Sequence, residues 1–532
     1  MLDFFYLIVI IVTIMTFKIE NKIKGTIYVY EAESVWDKDK KQSRLKRKYI
    51  GKKNPETKEI IPPKHTVSPQ FICKDYGNYN FLKSISDKIG LTSVLEKVYP
   101  ESSKEILTSA LFGISEERPL YLCDAWTDIT ATDCESNLSS QRLSELLRDI
   151  GTSDNQRLHF FNEWREINTD TKHIVFDISS ISSYSKNIDY IEWGKNKDDE
   201  SLPQLNIGLV LGEPSELPLF YTTYPGSIKD VSTLKNLTAY NVWLKLKKTI
   251  FVLDRGFFSG PNIKQLSNEG FTFILPLPFS TNISKELIKK HSKGITHHSK
   301  SFMYNDSIYY QIKDTVKING ISLNAYMYYD ERRKCDEMQA FLSKVIECET
   351  YISKNEWQVK SEIESYVKEI FGKEWNDLFS IVHNKAGYSL KRNDIGFDTI
   401  FDRMGKMILL TNNKTISALE TLTLYRRKDR IEKLFQILKN ELDGNRLRVH
   451  SKKNFEGRLF IFFISLIVYA AIDAIMRKNN LYKKYSMNEM IYELKKIKLL
   501  ELPDGQKIIS EFSKKQKDIF KIFDISLPEV LT

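Results

Sequence analysis

HIVFDISSIS, residues 173–182, is the stretch on which the reading of this chain turns. It is rich in β-branched residues, and it reads as an extended strand. By the alternation of a strand, Val175, Asp177 and Ser179 share one face. A carboxylate inside an apolar strand is costly unless it is paired or holds a cation. Asp177 is therefore a candidate for chemistry, the alternative being a capping or salt-bridged Asp.

Reading outward, two more extended runs follow, PQLNIGLVLG (203–212) and LPLFYTTYPG (217–226), parted by the turn Glu213-Pro214-Ser215-Glu216. Residues 230–246 read as a helix. TIFVLDRG (249–256) is an unbroken apolar run, typical of a strand buried on both faces, and it ends on Asp254. Sheets of α/β proteins place their ligands at that carboxyl end, and Gly256 lets the chain turn sharply there. SGPNIKQLSNEG (259–270) is a short helix with Pro261 near its first turn, and FTFILPL (271–277) is another buried strand. The order is β-β-β-α-β-α-β.

Residues 281–405 break this rhythm and read as an inserted domain, part strand-like and part charged helix. KMILLTN (406–412) resumes a strand. Residues 425–442 form a strong helix. At about 100° per residue, Tyr425, Lys428 and Lys439 lie within about 40° of Glu432. Ile431, Phe435, Leu438 and Leu442 make the neighbouring apolar stripe, which packs the helix on a core. From residue 426 to 453 the chain carries ten Lys/Arg against four acids. IFFISLIVYAAIDAIM (461–476) is too short to span a bilayer and contains Asp473, so it reads as a core helix.

Before residue 172 the pattern differs. Phe4–Phe17 is an apolar run of 14 residues without the flanks of a signal peptide. An upstream extension of a cytosolic protein, a buried element and a membrane anchor all remain open for it. Residues 25–62 read as a strand pair, and Lys38–Lys53 holds nine basic residues against Asp39. That suits contact with a DNA backbone or a solvated loop. Residues 75–168 show helical spacing. The chain has 532 residues, enough for several domains, and a net charge of +10, a mild excess that admits a nucleic-acid partner. Five cysteines without a CxxC argue against a zinc site or a disulfide framework.

Asp177, Asp254 and Glu432, with spacings of 77 and 178 residues, fit two-metal phosphodiester chemistry, in which hard ions take carboxylate oxygens. Flanking cations at Arg426, Arg427, Lys428 and Lys439 suit a polyanionic substrate, and Tyr425 suits a phosphate or a base.

The chain resembles the DDE transposases of bacterial insertion sequences, in the group marked by Tyr-x2-Arg-x3-Glu-x6-Lys. Here Tyr425, Glu432 and Lys439 match, while Lys428 stands at the Arg position and Arg427 precedes it. The likeness also takes in FDISSIS, LPQLNIGLVLG, the YPGSIKD stretch with Asp230, and LDRGFFS, and it spans about residues 25 to 480.

The resemblance implies an α/β, ribonuclease-H-like catalytic core, a mixed sheet flanked by helices and interrupted by the insertion. The expected division is an apolar leader (1–24), an N-terminal DNA-binding region of β-hairpin and helices (25–170), core (171–280), insertion (281–405), core with the Glu helix (406–480) and a helical tail (481–532). It implies cut-and-paste transposition: metal-dependent cleavage at transposon ends, then strand transfer to target DNA. Asp177, Asp254 and Glu432 would be the catalytic metal ligands for two Mg2+ ions, with Mn2+ able to substitute. Tyr425, Arg426, Arg427, Lys428 and Lys439 would bind DNA. Asp230 has a supporting role, and Trp357 and Trp375 in the insertion read as core packing, the alternative being a stack on a displaced base. Expected partners are double-stranded DNA, as terminal inverted repeats and target, and a second copy in a synaptic homodimer, with no membrane role and a cytoplasmic, nucleoid-associated setting. The alternatives are a ribonuclease-H-like nuclease or resolvase that cuts without joining, and an inactive DNA-binding relic.

Overall fold

The computed structural model describes residues 17–37, 42–61, 71–183, 185, 188–194, 202–228, 250–357, 359–384, 387–440, 442, 449 and 451–528. Most of the apolar leader, the basic loop 38–41, the expected helix 230–246 with Asp230, and most of 443–450 lie outside the described residues.

The chain divides into two compact units. The first holds a four-stranded antiparallel sheet of β1 (Phe17–Ile23), β2 (Thr26–Asp37), β3 (Gln42–Lys53) and β4 (Ile60–Ile61), in that order. The expected strand pair is β2 on β3, and a bulge at Val29/Tyr30 brings Tyr49 opposite Tyr30. Gly51 is required at φ 152°, where a Cβ would lie 2.3 Å from the Ile61 carbonyl oxygen.

In the second unit, helices occupy residues 77–167, following a short strand β5 (Ile72–Asp75). The large sheet begins with β6 (His173–Ser182), β7 (Gln204–Glu213) and β8 (Leu217–Pro225), an antiparallel meander. β9 (Ile250–Val252) and β10 (Thr272–Pro276) then add in parallel on the other side of β6. Between them, helix Gly260–Asn268 is capped by Ser259, with Pro261 in its first turn. β6 and β7 are buried along almost their whole length, which is why they read as near-continuous apolar runs.

Part of the stretch 281–405 belongs to this same sheet. β11 (Ser301–Tyr304), β12 (Ser307–Ile318) and β13 (Ile321–Asp330) form an antiparallel run, and β16 (Lys406–Thr411) pairs with β13 on one side and β10 on the other. The sheet has nine strands, in the order β11-β12-β13-β16-β10-β9-β6-β7-β8. From Glu331 on, the stretch builds a second hydrophobic core from Val345, Ile352, Ile363, Val367, Phe379 and Phe397. Helices Glu331–Lys354, Lys360–Phe371 and Asp394–Arg403 supply it, with the hairpin β14 (Phe379–Asn384) and β15 (Gly387–Arg392). Trp357 and Trp375 are half-buried against this core, in the packing role expected of them.

The apolar segment expected at 461–476 is the middle of a longer helix, Lys452–Lys478. It is long and apolar enough to cross a membrane, yet 89% of its most apolar window is buried within the protein. It packs on helices Ser103–Glu116 and Ser140–Thr152 and on β8. Glycines permit the closest approach: a Cβ on Gly151 would lie 1.7 Å from the Lys453 carbonyl oxygen, and one on Gly457 2.0 Å from that of Leu147.

Candidate active site

β6 and β9 are parallel neighbours in the register Val175 to Val252. Asp177 lies two residues further along β6 and Asp254 two residues past the end of β9, so the neighbouring strands deliver both carboxylates to within 4 Å of Lys428 Nζ. Asp177 is buried within β6, at 6% exposure. Asp254 follows β9, where the chain leaves the sheet through a short turn at Arg255–Phe257, and it is a third exposed.

The third acid comes from a helix held above the sheet. Tyr326 and Tyr328 of β13 donate their hydroxyls to the carbonyls of Ile416 and Ala418, at 2.7 and 2.6 Å. This anchors the start of helix Ala418–Arg426, which Ser417 caps. The helix expected over 425–442 is interrupted: Arg427 is a turn residue, and a new helix runs Lys428–Asn440. Ile431, Phe435 and Leu438 are buried as the apolar stripe predicts, and the helix packs on β6. Glu432 projects half exposed beside it.

Lys428 ties the three acids together. Its Nζ lies 2.5 Å from Glu432 Oε1, 3.2 Å from Asp254 Oδ1 and 3.8 Å from Asp177 Oδ2. Burial alone pulls the ammonium down. The carboxylates of Asp177 and Asp254 and the bond to Glu432 outweigh it and hold Lys428 well above the usual lysine range. Tyr425 completes the cluster: burial, then the Asp254 carboxylate, push its hydroxyl up to about 12.

The remaining predicted residues diverge. Arg426 stands near Tyr304 and Tyr309 of the β11–β12 hairpin, where its charge works against the burial that raises both hydroxyls. Arg427 leaves the cluster and pairs with Glu213. Lys439 sits about two turns beyond Glu432 on the same helix. Sequence reading missed Glu213, Tyr304 and Tyr309 as neighbours of the segment that begins the Glu432 helix. Glu213 is the one with a signal, an acid closing an apolar strand.

Residues 168–468 match the family described as the transposase DDE domain. The match covers more than half of the chain and includes all three acids, and the chain belongs to that family: it is a transposase, a protein of mobile DNA. A cryo-EM structure of the piggyBac transposase synaptic complex with hairpin DNA is similar over 77% of this chain and 70% of that one, at 11% identity and a TM-score of 0.34. None of the curated proteins matches the chain.

Proposed function

We propose that this transposase cuts DNA at transposon ends and joins the freed 3′ ends to target DNA, using Asp177, Asp254 and Glu432. One observation carries the reading: three carboxylates, far apart in sequence and from three elements, converge on a single ammonium. Gathering like charges around the buried Asp177 is costly, and a site for cations explains it.

The donor set is all carboxylate oxygen, which suits hard divalent ions such as Mg2+, with Mn2+ substituting. DDE transposases as a class work with such ions. Among the described residues the carboxylates stand around the ammonium and do not close on one another as a preformed shell. Asp177 and Asp254 would hold the ions from the sheet, and Glu432 from the helix. Two bound ions would activate the attacking oxygen and stabilise the leaving one. Lys428 and Tyr425 would orient the scissile phosphate, and Arg426 and Lys439 would grip the backbone on either side. Arg427 is engaged by Glu213.

Strand order supports a ribonuclease-H-like core. A meander, β6 to β8, is followed by β9 and β10 parallel to its first strand. A synaptic homodimer on paired inverted repeats completes the proposal.

Asp254→Asn tests it. Expected is loss of Mg2+-dependent end cleavage by at least about 10³-fold, with binding to the end retained. Cleavage at the wild-type rate would sink the assignment. Joining of a pre-cut 3′-OH end by the wild type separates a transposase from a nuclease that only cuts.

A further inference from the structure

Two carboxylates at the β7–β8 turn face the start of the catalytic helix from outside the acid cluster, one bonded to Arg427 and one 3.9 Å from Arg430. Glu213 closes β7 and is fully buried. Its Oε2 accepts from Arg427 Nη1, while its Oε1 is buried without a hydrogen-bond partner among the described residues. Such a carboxylate is expensive, and burial raises its pKa despite Arg427. Glu216, three residues on, has φ 58°, a left-handed conformation that glycine or asparagine adopts more readily. Its carboxylate bonds Arg477 and stands 3.9 Å from Arg430. Two locally unfavourable residues thus stand against the opening turn of one helix, and apolar packing alone does not call for either.

The geometry gives them a task. Arg427 is the junction residue before helix Lys428–Asn440, about 140° around the axis from Glu432. Holding it fixes the rotation of the helix. A side-chain tip roughly 6 Å from the axis moves about 1 Å for a rotation of about 10°. A displacement of about 1 Å in a catalytic group can cost about 10²-fold in rate.

We propose that Glu213 and Glu216 are positioning residues: through Arg427 and Arg430 they set the rotation at which Glu432 reaches Asp177 and Asp254. The proposal rests on the reading of Glu432 as catalytic. It goes beyond that reading by giving the β7–β8 turn, which lies outside the acid cluster, a part in the reaction.

The test uses the full-length protein and two variants, Glu213→Gln and Glu216→Asn. The second suits the left-handed backbone and keeps the fold even if the first does not. Amide hydrogen exchange is measured without metal, alongside affinity for a DNA end and its cleavage at saturating DNA in Mg2+ and in Mn2+. Expected is faster exchange over residues 425–435 with none over 455–470. Affinity stays within about twofold, and cleavage falls about 10- to 100-fold. The loss is smaller in Mn2+, because Mg2+ demands the stricter geometry. Wild-type exchange and cleavage in both variants would overturn the proposal. So would general loosening with binding and cleavage lost in proportion, which is the mark of a merely structural role. If the wild-type protein itself cleaves nothing, the catalytic reading fails, and exchange over 425–435 alone decides the brace.

Discussion

Lys428 is one cation shared by three acids, and its position makes a prediction about charge. It is 8% exposed, and two of its partners come from the sheet. Lys428→Met leaves those carboxylates facing one another. Expected is a loss of about 2–3 kcal/mol, less than a fully buried pair because Glu432 is half exposed. Added Mg2+ should restore more of the melting temperature in this variant than in the wild type, and thermal melts with and without the ion decide it. Equal shifts in both proteins would mean that the ammonium and the ion do not share a site. Glu213 makes the opposite kind of prediction. Its pKa is raised, first by burial, so its stabilising contribution is present below the unfolded glutamate value and lost as pH rises through the folded one. Glu213→Gln should therefore gain on the wild type in melting temperature as pH climbs above about 4.5. A difference that is flat from pH 4 to 7 would contradict the raised pKa.

Among elements, the contact between helices Ser140–Thr152 and Lys452–Lys478 depends on two glycines, Gly151 and Gly457. In each case a Cβ would meet backbone, which cannot swing away as a side-chain tip can. Gly457→Ala should cost about 1–3 kcal/mol, read as a lower melting midpoint, and an unchanged midpoint would show that the helices can separate freely. This contact also marks where sequence reading stops. The strands around Asp177 and Asp254, the short helix between β9 and β10, and the apolar stripe of Ile431, Phe435 and Leu438 were legible because each is a local period. The pairing of β11–β13 into the main sheet was not, since strand partnership is non-local and the alternation of SIYYQIKDTVKI suits any sheet edge. Nor was the break at Arg427, because the helical period runs through it. At the break Arg427 pairs with Glu213, a partner distant in sequence that no local period reveals. By sequence, Lys428 at an arginine position reads as a weakened signature. In the fold, the charge that binds the acids is at 428, and the guanidinium at 427 serves the brace.

Over the whole chain the net charge of +10 is modest, so DNA affinity has to come from where the cations are gathered. β3 carries Arg44, Lys46, Arg47, Lys48, Lys52 and Lys53 and no acid. Exposure runs along almost the whole of that strand up to Lys48. Some of its charge is already answered: Lys53 pairs with Glu20 at 2.6 Å, and Lys46 lies 3.7 Å from Glu33. Face alternation then separates the rest. Arg47 and Lys52 share the face of Tyr28, Tyr30 and Tyr49, where Lys52 stacks 5.5 Å from the Tyr28 ring. On the opposite face, Arg44, Lys46 and Lys48 lie against Glu31 and Glu33 across the strand pair. If this sheet contacts the DNA backbone, the aromatic face is the one that does so, because among the described residues of the strands its cations have no acids beside them. The double variant Arg47→Ser, Lys52→Ser should then lower the slope of log affinity against log salt by about 2, at about 0.9 for each phosphate that is no longer neutralised. Arg44→Ser with Lys48→Ser should change it by less. The two slopes, measured by salt titration on the same duplex, decide between the faces, and equal slopes for both variants and the wild type would remove this sheet from the DNA interface.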